Sequence, residues 1–287
     1  MDLWALPVSN LVDECRAWID ARLAATPIEY YPLPHVVVSD FFPDDVYREI
    51  LANDPFQLIE GTEWMSRDAA ATLKSATPYW LRKQVKLPDE ASLIPVPEQA
   101  QFWERLSEVF LADRWFQDRI VRKFPDYFNL RYGPLVDEDD FARFFRAEMF
   151  LQRHEPNFSL GPHTDIPIRV ATCIFSFAED ERFAAYGTDF CVPLDRVVRC
   201  SGRGHHSSDD FRTVKIAPYR PNNFVLFLKT NHSFHCVKPM PPGIPRGRYG
   251  MQYQLWENDS AGVLRDITAP ASGEDPVFQQ RADESLS

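Results

Sequence analysis

Apolar and polar positions alternate in two different ways along this chain, and the change comes about halfway. In the first half the apolar residues recur at helical spacing. Leu11, Cys15, Trp18 and Ile19 share one face, which predicts a helix over residues 11–25 with Ser9 or Asn10 as its N-cap. The run His35-Val36-Val37-Val38 is a short β-branched strand. Asp40-Phe41-Phe42-Pro43 then opens a second helix with Pro43 in its first turn, carrying Val46, Ile50 and Leu51 on one side. Residues 61–97 show no regular period. Helical spacing returns between Pro97 and Phe124, with Phe102, Leu106, Val109 and Phe110, then Trp115, Ile120 and Val121.

From Phe144 to Trp256 the period drops to two. Strands are predicted at 145–153, 169–178, 188–194, 211–217, 223–229, 233–238 and 248–256, divided by breakers such as Pro221-Asn222-Asn223 and Pro241-Pro242-Gly243. Several short strands in series predict a sandwich or jelly roll. The expected organisation is one α+β domain over 1–287. It has a mainly helical part at 1–140, a β core at 141–258 and a polar tail at 259–287. The change near residue 140 is a change of layer, not a linker.

Composition narrows the function classes. The chain has 287 residues, of which 45% are hydrophobic and 14% aromatic, enough for a sizeable core and an aromatic-lined pocket. Its net charge of −11 disfavours nucleic acid and anionic membrane as partners. The five cysteines are odd in number and irregularly spaced, which reads as a reduced, cytoplasmic protein. No apolar run in the sequence approaches transmembrane length.

One constellation suggests chemistry. His163-Thr164-Asp165 is the only His-x-Asp in the chain. In extended backbone, side chains two apart share a face, so an imidazole and a carboxylate at this spacing can grip one metal ion. A surface turn at Gly161-Pro162 is the plainer reading of that segment alone. His235, in the β-like run Ser233-Phe234-His235-Cys236-Val237, supplies the missing donor. Two histidines and one carboxylate with open positions are what a non-haem Fe(II) oxygenase needs. His232, three residues away, is the rival, although it falls on the opposite face of a strand. Beyond the Pro-rich turn come Arg246 and Arg248. A guanidinium on a strand can clamp a carboxylate in bidentate fashion, and Arg248 is favoured over Arg246. Gly250, facing the same way as Arg248, would leave room for a bound acid.

The order His-x-Asp, distal His, Arg resembles the Fe(II)/2-oxoglutarate-dependent dioxygenases, in particular the prolyl-4-hydroxylase-like branch. The approach Leu151-Gln152-Arg153-His154-Glu155-Pro156 to Leu160-Gly161-Pro162-His163 is similar to that family's lead-in to its first ligand strand. Gly187-Thr188-Asp189-Phe190 and Pro221-Asn222-Asn223-Phe224-Val225-Leu226-Phe227 are similar to the strands that follow. The resemblance covers about 144–256. It implies a double-stranded β-helix (a jelly roll, cupin-like) with the N-terminal helices packed on it. It implies iron held by His163, Asp165 and His235, and 2-oxoglutarate paired through its distal carboxylate to Arg248, with dioxygen as the oxidant. His154 stands where the branch commonly has a Tyr. Halogenating relatives lack the carboxylate, so Asp165 implies oxygenation, with succinate as by-product.

Gln152, His154, Thr172 and Asn231 are further candidates to touch co-substrate or substrate, with ordinary strand hydrogen bonding preferred for Thr172. His205-His206 reads as a flexible surface loop that can fold over a substrate rather than as a second metal site. Cys236 reads as a small core residue. A small-molecule substrate is expected. The alternatives are the same chemistry on a protein or peptide residue, and a non-catalytic jelly-roll binding protein. The sequence does not indicate an oligomeric state.

Overall fold

The computed structural model describes residues 8–57, 79–195, 198, 204–241 and 247–258. Five α-helices are described: α1 (Val8–Ala25), α2 (Asp44–Ala52), α3 (Pro97–Leu111), α4 (Trp115–Lys123) and α5 (Pro125–Tyr132). The strands are β1 (His35–Val38), β2 (Arg82–Leu87), β3 (Phe145–His154), β4 (Leu160–His163), β5 (Arg169–Ser176), β6 (Thr188–Pro193), β7 (Phe211–Ala217), β8 (Asn223–Leu228), β9 (His235–Val237) and β10 (Arg248–Glu257). They form a six-stranded sheet in the order β1-β8-β5-β10-β3-β2 and a four-stranded sheet in the order β4-β9-β6-β7. All pairings are antiparallel. From β3 onward the chain passes back and forth between the two sheets. This winding makes the double-stranded β-helix that the resemblance implied.

The period of two does the sorting. On β10, Tyr249, Met251, Tyr253 and Leu255 join the main core, while Arg248, Gly250, Gln252 and Gln254 line a cavity on the other face. On β5, Cys173 and Phe175 go to the core, and Thr172, Ile174 and Ser176 face the cavity side. The helices cover the core face with Ile19, Ile50, Phe110, Phe116 and Phe128, each essentially without exposure. A fully buried Phe or Ile contributes roughly 1.5–3 kcal/mol. A smaller cluster of Leu33, Phe190, Ala217, Val225 and Phe227 joins the two sheets.

Several expectations shift. α1 starts at Val8, so Ser9 and Asn10 lie within the helix and not at its cap. Pro43 is the N-cap of α2, and Asp44 and Asp45 fill its first turn, where the helix dipole favours acids. α5 was not foreseen. Its buried residues Tyr127, Phe128 and Tyr132 make no regular stripe, although Pro125 suits its first turn. β2 lies in the stretch that showed no period, because only Val85 and Leu87 carry apolar signal. β4 contains the Gly-Pro read as a turn. It sits at the edge of the small sheet and pairs only with β9, a position that tolerates proline. β1 and β2 extend both edges of the large sheet, so the helical part also contributes strands to the core. The polar tail at 259–287 lies outside the described residues. Among the described residues no helix is long and apolar enough to cross a membrane.

Candidate metal centre

His163 ends β4 and His235 begins β9, and the register sets them directly opposite each other. Their rings are 4.3 Å apart. Asp165 follows two residues after His163. One ligand atom from each of the three residues lies within 4.8 Å of the others, and this is the one such group found among the described residues. His232 is not part of it. It sits in the turn before β9, where its backbone N–H donates to Thr230 Oγ1 at 3.1 Å.

The hydrogen bonds around the group prepare it for a cation. Nδ1 of His163 lies 2.9 Å from the Gly161 carbonyl, and Nδ1 of His235 lies 3.0 Å from the Ser233 carbonyl. A carbonyl only accepts, so both Nδ1 atoms carry the proton and both Nε2 lone pairs are left for a metal. Burial, with His235 alongside, lowers His163 to about 3. Burial also lowers His235. Both imidazoles are therefore neutral, the form that ligates. Burial raises Asp165, but the Arg169 guanidinium, the two neighbouring imidazoles and the Thr172 hydrogen bond together more than offset this and the carboxyl settles at about 2. Thr172 Oγ1 donates to Asp165 Oδ2 at 2.6 Å and Arg169 Nη1 to Oδ1 at 2.7 Å. Arg169 is itself held over the Trp256 ring at 4.5 Å. Two lone pairs and a carboxylate converging in a buried site fit a divalent cation, and each carboxylate oxygen keeps a further lone pair beyond its present bond.

Arg248 opens into the same cavity, about 250 Å³ in volume, as the three ligands. Its guanidinium donates to the Gly187 carbonyl at 3.0 Å and to Thr188 Oγ1 at 2.8 Å. It is 6% exposed and makes no ion pair among the described residues. Burial lowers it to about 10, so it remains a cation at neutral pH. A buried guanidinium held on one side by neutral acceptors is a receptor for an anion on the other.

The remaining sequence candidates divide. Gln152 lines the cavity and donates to Gln252 Oε1 at 2.9 Å, as Gln254 does from the other side. His154 also lines it. Asn231 does not: it is buried in the turn between β8 and β9, off any strand face, and is not among the described cavity residues. Arg246 lies outside the described residues. Thr172 is more than a strand hydrogen-bonding residue, since it holds Asp165. Gly250 lines the cavity, but its need for glycine comes from β5. A Cβ there would lie 2.3 Å from the Phe175 carbonyl oxygen. Cys236 is buried with Cys191 and Phe234 as a small core residue. His205 and His206 lie in an irregular surface segment, as expected, and that segment rests against the site. The His206 N–H donates to the Pro162 carbonyl at 2.8 Å, and the His205 ring rests 4.6 Å from that of His163. Sequence reasoning missed Arg169, Thr188, Tyr219 and Arg82. Arg169 alone carried a signal, four residues beyond Asp165.

No protein-family profile and no curated protein matches this chain. Among solved structures the chain is similar to a putative 2OG-Fe(II) oxygenase family protein from Caulobacter crescentus, at 14% identity and a TM-score of 0.46, covering 100% of this chain and 97% of that one. It is also similar to a Pseudomonas putida prolyl-4-hydroxylase, at 13% identity and a TM-score of 0.38, covering 85% and 98%. A third is the non-heme alpha ketoglutarate dependent epimerase SnoN from nogalamycin biosynthesis, at 13% and 0.40, covering 92% and 93%.

Proposed function

We propose that this protein is a non-haem Fe(II) oxygenase that consumes 2-oxoglutarate and oxidises a C–H bond of a small molecule. The observation that carries this reading is the pairing, in one buried cavity, of a His-Asp-His group with a guanidinium that makes no ion pair among the described residues. His163, Asp165 and His235 would hold the iron. Arg248, with Thr188 beside it, would hold the distal carboxylate of 2-oxoglutarate. When bound, this pair supplies activation of dioxygen, with succinate and carbon dioxide as by-products.

The protein's own part is placement and exclusion. The backbone carbonyls at Gly161 and Ser233 fix the imidazole tautomers. Thr172 and Arg169 fix the carboxylate. Three protein ligands leave positions free for a bidentate acid and a gas, where a structural zinc site would be closed. Asp165 occupies the position a halide would need, so oxygenation is the favoured outcome. A cavity of about 250 Å³ suits a small molecule better than an extended peptide.

The test is anaerobic addition of Fe(II) and 2-oxoglutarate, which should give a metal-to-ligand charge-transfer band. Admitting oxygen should then give iron-dependent succinate. Asp165→Ala and His235→Ala should lack both signals. Wild-type succinate formation in either variant, or no band in the wild type, would overturn the assignment.

A further inference from the structure

Beyond the metal ligands and Arg248, the cavity wall holds three carboxamide side chains. Gln152 comes from β3, and Gln252 and Gln254 come from β10. The period of two brings them to one face. Gln252 and Gln254 are two apart on β10, and Gln152 lies directly opposite Gly250, two residues before Gln252. Diagonal neighbours across antiparallel strands are within reach of long side chains. Gln152 Nε2 donates to Gln252 Oε1 at 2.9 Å, and Gln254 Nε2 donates to the same oxygen at 2.9 Å. The three amides are thus locked into a row with Gln252 in the middle.

What the row leaves over has a pattern. Gln252 Oε1 has both of its lone pairs engaged. Among the described residues Gln252 Nε2 donates to no group, and Gln152 Oε1 and Gln254 Oε1 accept from none. These three atoms are not among the buried side-chain atoms left without a partner, so each is reachable from the cavity its residue lines. The row therefore offers an acceptor, a donor and an acceptor in order. Turning all three amides over gives donor, acceptor, donor, which is still mixed and still neutral. Gln152 and Gln254 are each 7% exposed. Ordering three such long side chains costs more rotamer freedom than two neutral hydrogen bonds return, so the stability of the fold does not account for the row. Gln254 lies directly opposite Thr172 on β5, and Thr172 holds Asp165. Arg248 is four residues before Gln252 on the same face, roughly 13 Å along the strand, and Gly250 between them carries no side chain. The acid receptor and the carboxamide row are therefore separate anchors, and the row ends one strand away from the residue that orients Asp165.

We propose that the row of Gln152, Gln252 and Gln254 recognises the prime substrate, and that this substrate is a neutral carboxamide. This rests on the reading of the cavity as a 2-oxoglutarate-dependent iron site. A carboxamide carries an acceptor oxygen and an N–H donor side by side. Its oxygen takes the Gln252 N–H while its own N–H goes to the oxygen of Gln152 or Gln254. A carboxylate only accepts, and it would set its charge against two carbonyl oxygens. An ammonium only donates, and it would leave the Gln252 N–H unmatched. Discrimination against both follows. A cavity of about 250 Å³ shared with 2-oxoglutarate leaves space for a compact molecule only.

The experiment uses the anaerobic protein loaded with Fe(II) and 2-oxoglutarate, with the charge-transfer band as reporter. Acetamide, isobutyramide, benzamide and phenylacetamide are added singly, each compared with its carboxylic acid and its primary amine. Oxygen is then admitted and succinate formation measured. At least one carboxamide should perturb the band and accelerate turnover, binding about tenfold or more tighter than its acid and its amine. Gln252→Met keeps the length of the side chain and removes both amide groups. It should weaken that carboxamide by about tenfold and abolish its advantage over the acid. Gln254→Met, at one end of the row, should weaken it less. Formation of the band in both variants shows that they are folded. A row that served the fold alone would lower the Tm on substitution and leave the ratio of carboxamide to acid affinity as in the wild type. The inference is overturned by a band that no carboxamide perturbs, or by a wild-type ratio in Gln252→Met. Absence of the band in the wild type overturns the underlying iron and 2-oxoglutarate reading, and the inference with it.

Discussion

Thr172 and Arg169 each give Asp165 one hydrogen bond, and the two bonds divide its oxygens between them. Groups that orient a metal ligand typically change metal affinity by about 10–100-fold when removed. Thr172→Val keeps the shape and β propensity of the strand residue while deleting the donor. Its Fe(II) affinity should fall by about that factor, measured by competition with a chelator under anaerobic conditions. Wild-type affinity would mean that Arg169 alone orients the carboxylate. Arg248 answers to a different measurement. Arg248→Met keeps apolar bulk and removes the cation, so 2-oxoglutarate binding should weaken by about 2–5 kcal/mol with Fe(II) affinity little changed. An equal loss of both would point to a folding defect. His163, Asp165, His235 and Arg248 were readable in the sequence because histidine is scarce, seven in the chain, and the four stand in a rare order. Their supporters were not readable. Thr172 and Thr188 are ordinary strand residues until the register places one on Asp165 and the other on Arg248. Asn231 shows the converse: it stood near His235 in sequence, but a turn carries it off the strand face.

At the level of the element, β10 is the piece on which the site depends. It is central in the large sheet, hydrogen-bonded to β3 on one side and β5 on the other. Gly250 lets β5 approach, since a Cβ would meet the Phe175 carbonyl oxygen at 2.3 Å, and backbone on a central strand has little room to retreat. Gly250→Ala should therefore destabilise the fold by about 1–3 kcal/mol, read as a lower Tm, and should also weaken 2-oxoglutarate because Arg248 lies two residues away. An unchanged Tm would show that β5 can shift freely. The long buried strands were legible because half their residues are apolar at a period of two. β2 and β4 were not. β2 spends one face on Arg82 and its polar neighbours, leaving Val85 and Leu87 as its whole apolar signal. β4 contains a Gly-Pro pair that only an edge position makes compatible with a strand.

For the molecule as a whole, the buried histidines set how stability responds to pH. His35, His154, His163 and His235 all have pKa values lowered by burial, so the folded protein keeps them neutral. In the unfolded chain each takes up a proton near pH 6.5. Between that value and the lower folded pKa the unfolded state binds more protons, so stability rises with pH across the window. It is fully present above about pH 6.5 and is lost as the pH falls, at up to roughly 1.4 kcal/mol per pH unit for each such histidine. Asp165, lowered to about 2, stays ionised through most of this range and adds its own loss only in stronger acid. The Tm of the metal-free protein should therefore drop steeply from pH 7 to pH 5, where most surface carboxylates are still charged. His154→Gln removes one of the four without touching His163, Asp165 or His235 and should make the decline shallower by about one histidine's share. A Tm that stays level from pH 7 to pH 5, or a His154→Gln slope equal to that of the wild type, would show that the cavity admits protons in the folded state.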